Sequence, residues 1–218
     1  HFDGLMDYPL RTALIGLLEK TIPASEFADR MEKLLEIYPR ANAYAMLQLV
    51  GSHDVERILT LLEGDLNKLK LAWIFQFAYP GAPSVYYGDE VGLEGGKDPD
   101  NRRAFPWNRE EWKPGLYEYM QTLISLRKKL PALRRGNYMR VFVDDNRGCY
   151  AFGRTLGDEK ILVVLNASGT RRSLRLPVAA LGWGDGHIVE NLLGSGEYYV
   201  NGTTLSLAVD PWSGVWLK

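Results

Sequence analysis

Apolar residues recur at two spacings along the chain, a helical one in the first part and an alternating one in the rest. In the first part, four segments carry an apolar face that repeats every three or four positions, which is typical of amphipathic helices. We expect Asp7 to begin the first helix and the Ser25 side chain to cap the second, because both accept hydrogen bonds from free amides at a helix start. The predicted helices cover residues 8–18, 25–38, 67–78 and 111–130.

Two short apolar runs between these helices predict buried strands. Residues 44–50 and 84–87 are too short for the helices of a globular protein, and turn residues border them. Strands that alternate with helices in this way are typical of a parallel α/β fold.

Beyond about residue 135, apolar residues occupy every second position, which predicts strands with one buried face. Several short strands separated by turn residues favour an antiparallel sandwich. We therefore divide the chain into an α/β part, residues 1–133, and an all-β part, residues 134–218. The predicted strands of the second part cover residues 138–143, 149–154, 161–165, 173–176, 188–192, 198–200, 205–209 and 215–217.

The balanced charge and the short apolar runs of the chain argue against nucleic acid and membranes as partners. The chain has 27 acidic and 26 basic residues, whereas a protein that binds nucleic acid or an anionic membrane usually concentrates basic charge. We therefore expect no nucleic acid and no membrane as partner, and no apolar run approaches the ~20 residues that span a bilayer. The chain shows no signal peptide, which favours the cytoplasm but leaves the localisation unknown. It begins with His1, so we expect it to be part of a longer protein.

Residues that hold metals or form disulfides are few and scattered. Cys149 is the single cysteine, and its apolar surroundings in sequence predict a packed thiol rather than a reactive one. The three histidines, His1, His53 and His187, are far apart, and glycine-rich phosphate-binding motifs are lacking. The sequence therefore predicts neither a metal nor a cofactor.

A polar cluster, residues 51–54, directly follows the first predicted strand. The carboxyl end of a barrel strand is where such folds place their sites. His53 donates to a hydroxyl and Asp54 accepts from two, a pairing that suits a sugar. A histidine–aspartate pair that only caps a loop is an equally good interpretation of the spacing.

The second predicted strand leads to two adjacent carboxylates, Asp89 and Glu90. Paired carboxylates are a feature of acid–base catalysis. Adjacent residues on a strand point in different directions, however. We therefore favour a structural role, in which both bind backbone amides and basic side chains that hold loops together.

A third polar loop, residues 98–103, combines two aspartates with two arginines. These side chains either grip several sugar hydroxyls or only pair with one another, Asp98 or Asp100 with Arg102 or Arg103. Aromatic residues near the loops either stack on sugar rings or serve in packing; they are Phe2, Tyr8, Tyr86, Tyr87 and Trp107.

Taken in order, these segments resemble the motifs of the α-amylase family of glycoside hydrolases. Residues 51–57 resemble the motif after its seventh barrel strand, in the form found in the neopullulanase and cyclomaltodextrinase branch. Residues 82–90 resemble the eighth-strand motif, 98–107 the loop after it, and 2–11 the segment that enters the sixth barrel helix. The likeness covers the whole chain. It implies the C-terminal portion of a (β/α)8 TIM barrel followed by an antiparallel Greek-key β-sandwich.

The resemblance also implies a function and roles for residues. The parent protein would be a retaining hydrolase or transglycosylase of α-1,4- or α-1,6-linked glucans, with an α-glucan as its partner. His53 and Asp54 would hold the glucose at the cleavage subsite, Asp54 as a transition-state stabiliser. Asp98 and Arg102 would bind substrate in the same subsite, and Glu56 would face the acceptor.

The chain departs from the family in what it lacks. A retaining glycosidase needs a carboxylate nucleophile and a carboxylic acid ~5–5.5 Å apart, which in this family follow the fourth and fifth barrel strands. Neither segment is present, and a complete barrel takes ~250 residues. We therefore expect the chain alone to be inactive and to self-associate through its unpaired strands. The alternative is a non-catalytic binding or scaffold protein, against which His53 and Asp54 argue.

Overall fold

We describe residues 3–218 in a computed structural model; Phe2, one of the aromatic candidates, and His1 lie outside the described residues. The helices are α1 Tyr8–Leu18, α2 Ala24–Glu36, α3 Arg40–Ala43, α4 Ile58–Leu61, α5 Leu66–Ala78, α6 Leu116–Lys129 and α7 Pro131–Arg135. The strands are β1 Leu47–Leu49, β2 Ala82–Ser84, β3 Asn137–Asp144, β4 Cys149–Leu156, β5 Glu159–Asn166, β6 Arg172–Pro177, β7 Ile188–Glu190, β8 Glu197–Asn201, β9 Thr204–Val209 and β10 Ser213–Leu217.

The first helix begins as predicted, and the second does not. The Asp7 carboxylate accepts a hydrogen bond from the Leu10 amide at 3.0 Å, which caps α1. The prediction that Ser25 caps α2 was wrong, because α2 already begins at Ala24. The Ser25 amide and hydroxyl both donate to Asp145 at 2.7 Å. The sandwich thus supplies the acceptor that the local sequence was expected to provide.

The α/β part contains a small parallel sheet. Strand β1 pairs in parallel with β2, and the connection between them carries α4 and α5. An isolated parallel bridge from Met6 to Leu47 extends the sheet on the other side of β1. This arrangement confirms the predicted alternation of strands and helices.

Three predicted boundaries were wrong in this part. Residues 44–46 are not in the first strand, since Tyr44 ends α3. The second strand ends at Ser84 rather than covering 84–87, because the rings of Tyr86 and Tyr87 turn onto the Arg57 guanidinium, at 4.0 and 4.7 Å. Helix α6 begins at Leu116 rather than at 111, after a 3-10 turn and a left-handed Gly115.

The all-β part is an antiparallel sandwich of two four-stranded sheets. Their strand orders are β10-β5-β4-β3 and β6-β9-β8-β7. The chain crosses to the second sheet after β5 and returns after β9, so that β10 lies beside β5 in the manner of a Greek key. All eight predicted strands are present within residues 137–217, with ends that differ by a few residues.

Each face of the β10-β5-β4-β3 sheet covers a different hydrophobic core. Cys149 and Val164 point into the sandwich interior, and burial raises the pKa of the Cys149 thiol to about 11. Tyr150, Phe152 and Trp216 point the other way, into a second core formed with α1, α2, α5 and α6. The helical part and the sandwich therefore share one of the two cores.

Two buried arginines reinforce this shared core. Arg127 on α6 donates to the carbonyls of Phe77 at 2.6 Å and Leu133 at 2.9 Å. Arg154 on β4 donates to the same Leu133 carbonyl and to that of Gly136, both at 2.9 Å. Both also bind carbonyls at or just beyond the end of α5, where the helix dipole favours a cation. Burial lowers the pKa of Arg127 to about 9 and that of Arg154 to about 10.

The small parallel sheet leaves apolar side chains uncovered. Leu47 is 43% exposed, Val85 39% and Tyr87 41%, and Leu5 is also exposed. The sandwich covers apolar faces of α2 and α5 but not these residues in and beside the two strands. Across residues 3–218, every helix is too short or too polar to cross a membrane.

Candidate functional site

The loop after β1 presents two polar side chains to solvent in contact with each other. Nε2 of His53 lies 3.2 Å from Oδ1 of Asp54, and the two side chains are 59% and 55% exposed. The Tyr8 hydroxyl donates to Oδ2 of Asp54 at 3.1 Å and lies 3.0 Å from the Ser52 hydroxyl. The Asp54 carboxylate is therefore oriented from both sides, yet remains open to a ligand.

The third polar loop lies directly against this pair. Arg102 donates through Nε to the His53 carbonyl at 3.1 Å, and the same nitrogen lies 3.0 Å from Oδ1 of Asp98. The structure thus brings Asp98 and Arg102, as expected, to the same place as His53 and Asp54. They also pair with each other, which was the alternative interpretation of the loop.

Asp100 and Arg103 serve the loop itself. Asp100 accepts from Arg103 at 2.7 and 2.9 Å and from the Gly96 amide at 2.7 Å. The hydrogen bonds from Arg103 lower the pKa of the Asp100 carboxyl. Both carboxylate oxygens of Asp100 are thus bound within the loop, whereas Asp98 pairs with Arg102, which binds the His53 carbonyl.

Glu56 borders the same groove as Asp54 and Asp98. Its main-chain carbonyl accepts from Arg11 at 3.2 Å, and Arg11 also donates to the Val50 carbonyl at 2.9 Å. Arg11 therefore ties the end of β1 to the far end of the loop. The five candidate residues, His53, Asp54, Glu56, Asp98 and Arg102, form one surface.

The structural interpretation of the adjacent carboxylates after β2 holds for Asp89 but not for Glu90, which has a buried carboxylate oxygen without a hydrogen-bond partner. Asp89 is buried and lies 3.0 Å from the Arg57 guanidinium, which confirms that it binds a basic side chain. Burial raises the pKa of Asp89 to about 7, and Arg57 offsets part of that rise. Glu90 points instead to a groove beside Val85 and α6. The two residues lie in a 3-10 turn rather than on a strand.

The aromatic candidates have different surroundings. Tyr8 acts through its hydroxyl, whereas Tyr86 and Tyr87 lie against Arg57, and the Tyr87 hydroxyl donates to the Arg103 carbonyl at 2.9 Å. Trp107 is 85% exposed, with its ring 4.8 Å from that of Phe105. Among the described aromatic candidates, Trp107 has the most open ring.

Sequence reasoning missed the polar role of Tyr8 and overlooked two buried residues near the site, Arg57 and Asn101. Arg57 lies in the motif at 51–57, which was a usable signal. Asn101 gave none, because its partners, the His53 and Val55 carbonyls, are 48 and 46 positions away. Within residues 3–218, no cluster of three or more histidine, cysteine or carboxylate side chains is arranged to hold a metal.

Comparison with known proteins connects this geometry to a family. The sequence profile of the α-amylase catalytic domain matches residues 1–116, and that of the maltogenic amylase C-terminal domain matches 139–216. A cyclomaltodextrinase from Geobacillus thermopakistaniensis (strain MAS1) is 37% identical over 97% of this chain and 35% of its own length. Neopullulanase 2 from Thermoactinomyces vulgaris is 36% identical over 98% of this chain and 36% of its own length. The chain thus spans about a third of these relatives.

Solved structures show the same likeness over the whole fold. A cyclomaltodextrinase superimposes with a TM-score of 0.90 and 32% identity, over 100% of this chain and 37% of its own. A debranching enzyme from Nostoc punctiforme gives 0.88 and 32%, over 100% and 48%. The architecture is that of the last strands and helices of a TIM barrel with the sandwich that follows it. The chain belongs to the α-amylase family of glycoside hydrolases, in its neopullulanase- and cyclomaltodextrinase-like branch.

Proposed function

We propose that this chain is part of a retaining hydrolase of α-1,4- and α-1,6-linked glucans and supplies residues that hold the sugar at the cleavage site. The observation that carries the proposal is the single surface formed by His53, Asp54, Asp98 and Arg102. Its donors and acceptors match sugar hydroxyls. The likeness to a cyclomaltodextrinase and to a neopullulanase supports the substrate class.

The two exposed residues of the first loop have distinct tasks in this proposal. His53 donates to a ring hydroxyl, and Asp54 accepts from neighbouring hydroxyls. As the sugar becomes oxocarbenium-like, its hydroxyls become better donors, so their bonds to Asp54 strengthen in the transition state. Binding that grows in this way lowers the barrier rather than only the KM.

The other residues of the surface orient the substrate. Arg102 and Asp98 present a donor and an acceptor beside His53, so they hold hydroxyls of the same sugar unit. Glu56, on the edge of the groove, faces the sugar or water that accepts the cleaved glycosyl group. We assign the nucleophile and the acid to segments outside this chain, so none of these residues takes either role.

The test uses a longer protein that contains this chain and the rest of its catalytic domain. We expect Asp54→Asn to lower kcat by about 100-fold on maltodextrin, because a charged acceptor matters most when positive charge develops. The KM should change far less. Asp100→Asn is the matched control, since Asp100 is also exposed but binds Arg103 within its loop. An Asp54→Asn enzyme with unchanged kcat and a higher KM would show that Asp54 only binds.

A further inference from the structure

A buried ion pair lies directly beneath the exposed residues of the site. Arg57 is 0% exposed and Asp89 2%, and Nη1 of Arg57 lies 3.0 Å from Oδ1 of Asp89. The same nitrogen donates to the Tyr87 carbonyl. The rings of Tyr86 and Tyr87 contact the guanidinium and separate it from solvent. The pair thus joins the loop after β1 to the loop after β2.

The ion pair reaches the site through one further residue. Nε of Arg57 donates to the Asn101 carbonyl at 2.8 Å. The Asn101 side chain is fully buried and donates through Nδ2 to the carbonyls of His53 at 2.8 Å and Val55 at 2.9 Å. Asp89, Arg57 and Asn101 therefore form a continuous chain of contacts that ends on both sides of Asp54.

The start of the same loop lies close against the Asp89 carboxylate. A β-carbon at position 51 would collide with the Asp89 carboxylate, so the close approach requires Gly51. The backbone from 51 to 57 therefore packs against Asp89 at its start and is hydrogen-bonded by Asn101 farther along. Within this segment the side chains of His53 and Asp54 are exposed, those of Val55 and Glu56 are partly exposed, and the rest are buried.

Stability alone does not account for this arrangement. Taking two charges out of water costs several kcal/mol per ion, and well-packed apolar residues in place of a buried ion pair are often neutral or stabilising. What a rigid planar guanidinium adds is direction, because its donors point in fixed directions. That property is useful where a neighbouring loop must be held to a fraction of an ångström.

We propose that Arg57, Asp89 and Asn101 are positioning residues that fix the backbone of residues 51–57 and so aim His53 and Asp54 at the substrate. The proposal rests on the proposed function for what His53 and Asp54 do, but its geometric part is independent of it. None of the three touches the sugar. They act through the main chain of the residues that do.

The first experiment compares the same substitution at two buried arginines in the 218-residue chain. Arg57→Lys removes the guanidinium next to the site, and Arg154→Lys removes an equally buried guanidinium from the core shared with the sandwich. The readout is the imidazole cross-peak of His53, assigned with His53→Gln, together with the backbone amides of 52–56. Both variants should lower the Tm, but only Arg57→Lys should shift or broaden these signals.

Asn101→Ala provides a second, milder route to the same answer. It removes the two hydrogen bonds to the His53 and Val55 carbonyls without leaving a cation unpaired. We expect the His53 and 52–56 signals to move as in Arg57→Lys. Unchanged signals in Asn101→Ala, or equal displacements of the same signals in Arg154→Lys, would overturn the proposal. This test remains decisive even if Arg57→Lys does not fold.

A second experiment separates this proposal from the proposed function. In the longer protein, a misplacement of about 1 Å can cost about 100-fold in rate, so Asn101→Ala should lower kcat by up to that factor with a smaller change in KM. Arg154→Lys should leave both constants close to those of the unchanged protein. If Asp54→Asn has no effect on kcat while Asn101→Ala still moves the His53 signals, the proposed function fails and the positioning network stands.

Discussion

The Tyr8 hydroxyl donates a hydrogen bond to Oδ2 of Asp54 at 3.1 Å, across 46 positions of sequence. Tyr8 is the first residue of α1, one position after the Asp7 that caps this helix. The helix start therefore serves two purposes. The Asp7 carboxylate caps the helix. The Tyr8 side chain that follows it orients Asp54, the carboxylate that we propose to stabilise the transition state.

Tyr8→Phe should weaken the site without unfolding the protein. The substitution keeps the ring and removes the hydroxyl that contacts Asp54 and Ser52. A hydrogen bond of this kind contributes about 1 kcal/mol, so kcat/KM of the longer protein on maltodextrin should fall by about five-fold. Tyr44→Phe is the matched control, because its hydroxyl binds the Gly136 carbonyl away from the site. Equal losses in both variants would contradict a specific role for Tyr8.

The 218-residue chain should not hydrolyse maltodextrin, pullulan or cyclodextrin. The two-step retaining mechanism needs a nucleophile and an acid held ~5–5.5 Å apart, and we assign both to segments outside this chain. A reducing-sugar assay of purified protein provides the measurement. Turnover that rises in proportion to protein concentration, and that Asp54→Asn abolishes, would refute the assignment.

The chain should self-associate through the uncovered strands of its α/β part. Leu47, Val85 and Tyr87 are each about two-fifths exposed there, so covering what remains open contributes only part of the ~1.5–3 kcal/mol that full burial of a large apolar side chain provides. The free strand edges offer backbone groups for pairing as well. Sedimentation at micromolar concentration should therefore show dimers or larger species.

A charge placed on this surface should disperse the assemblies. Val85→Lys should shift sedimentation towards the monomer, whereas Ile188→Lys, at a somewhat more exposed residue of the sandwich, should not. A wild-type chain that is already monomeric, with full hydrogen-exchange protection over 44–50 and 84–87, would show that the strand surface needs no partner.

Asp89 should make stability fall as the pH rises through about 7. Burial raises the pKa of Asp89 from 3.8 to about 7 in the folded chain, despite the lowering effect of Arg57. The folded state therefore binds this proton more tightly than the unfolded state. The resulting stabilisation is complete below pH ~4 and is lost progressively up to about pH 7.

Asp89→Asn isolates this contribution from those of other groups. The free energy of unfolding, measured by chemical denaturation, should fall less between pH 5 and pH 8 in the variant than in the unchanged chain. The stability difference, variant minus unchanged chain, should thus become more positive at the higher pH. Parallel pH profiles for the two proteins would mean that Asp89 titrates alike in the folded and unfolded states.

Local sequence patterns were sufficient where one chain segment determines its own structure. The Asp7 cap of α1 and the alternating strands of the sandwich belong to this class. They were insufficient where a distant segment intervenes. Asp145, 120 positions away, binds the Ser25 amide and hydroxyl in place of the expected cap by Ser25. Arg57 likewise draws Tyr86 and Tyr87 out of the predicted second strand.

The same distinction applies to the site. His53, Asp54, Asp98 and Arg102 stand in recognisable motifs, so their convergence could be expected before the loops were seen together. Asn101 could not be singled out, because a buried asparagine is indistinguishable in sequence from one in an exposed loop. Its importance follows only from carbonyl partners that the fold brings to it.

The arginines in the shared core have a consequence for recombination. Arg154 belongs to the sandwich, yet its carbonyl partners lie at the end of α5 and in the 133–136 junction. A chimaera that joins a foreign sandwich at residue 134 would remove Arg154 from the Ala78 carbonyl and leave the Leu133 carbonyl only its bond from Arg127, unless the new sandwich brings an equivalent cation. The sandwich is therefore exchangeable only together with the surface that receives it, and the inheritance of the two parts should be coupled in the family.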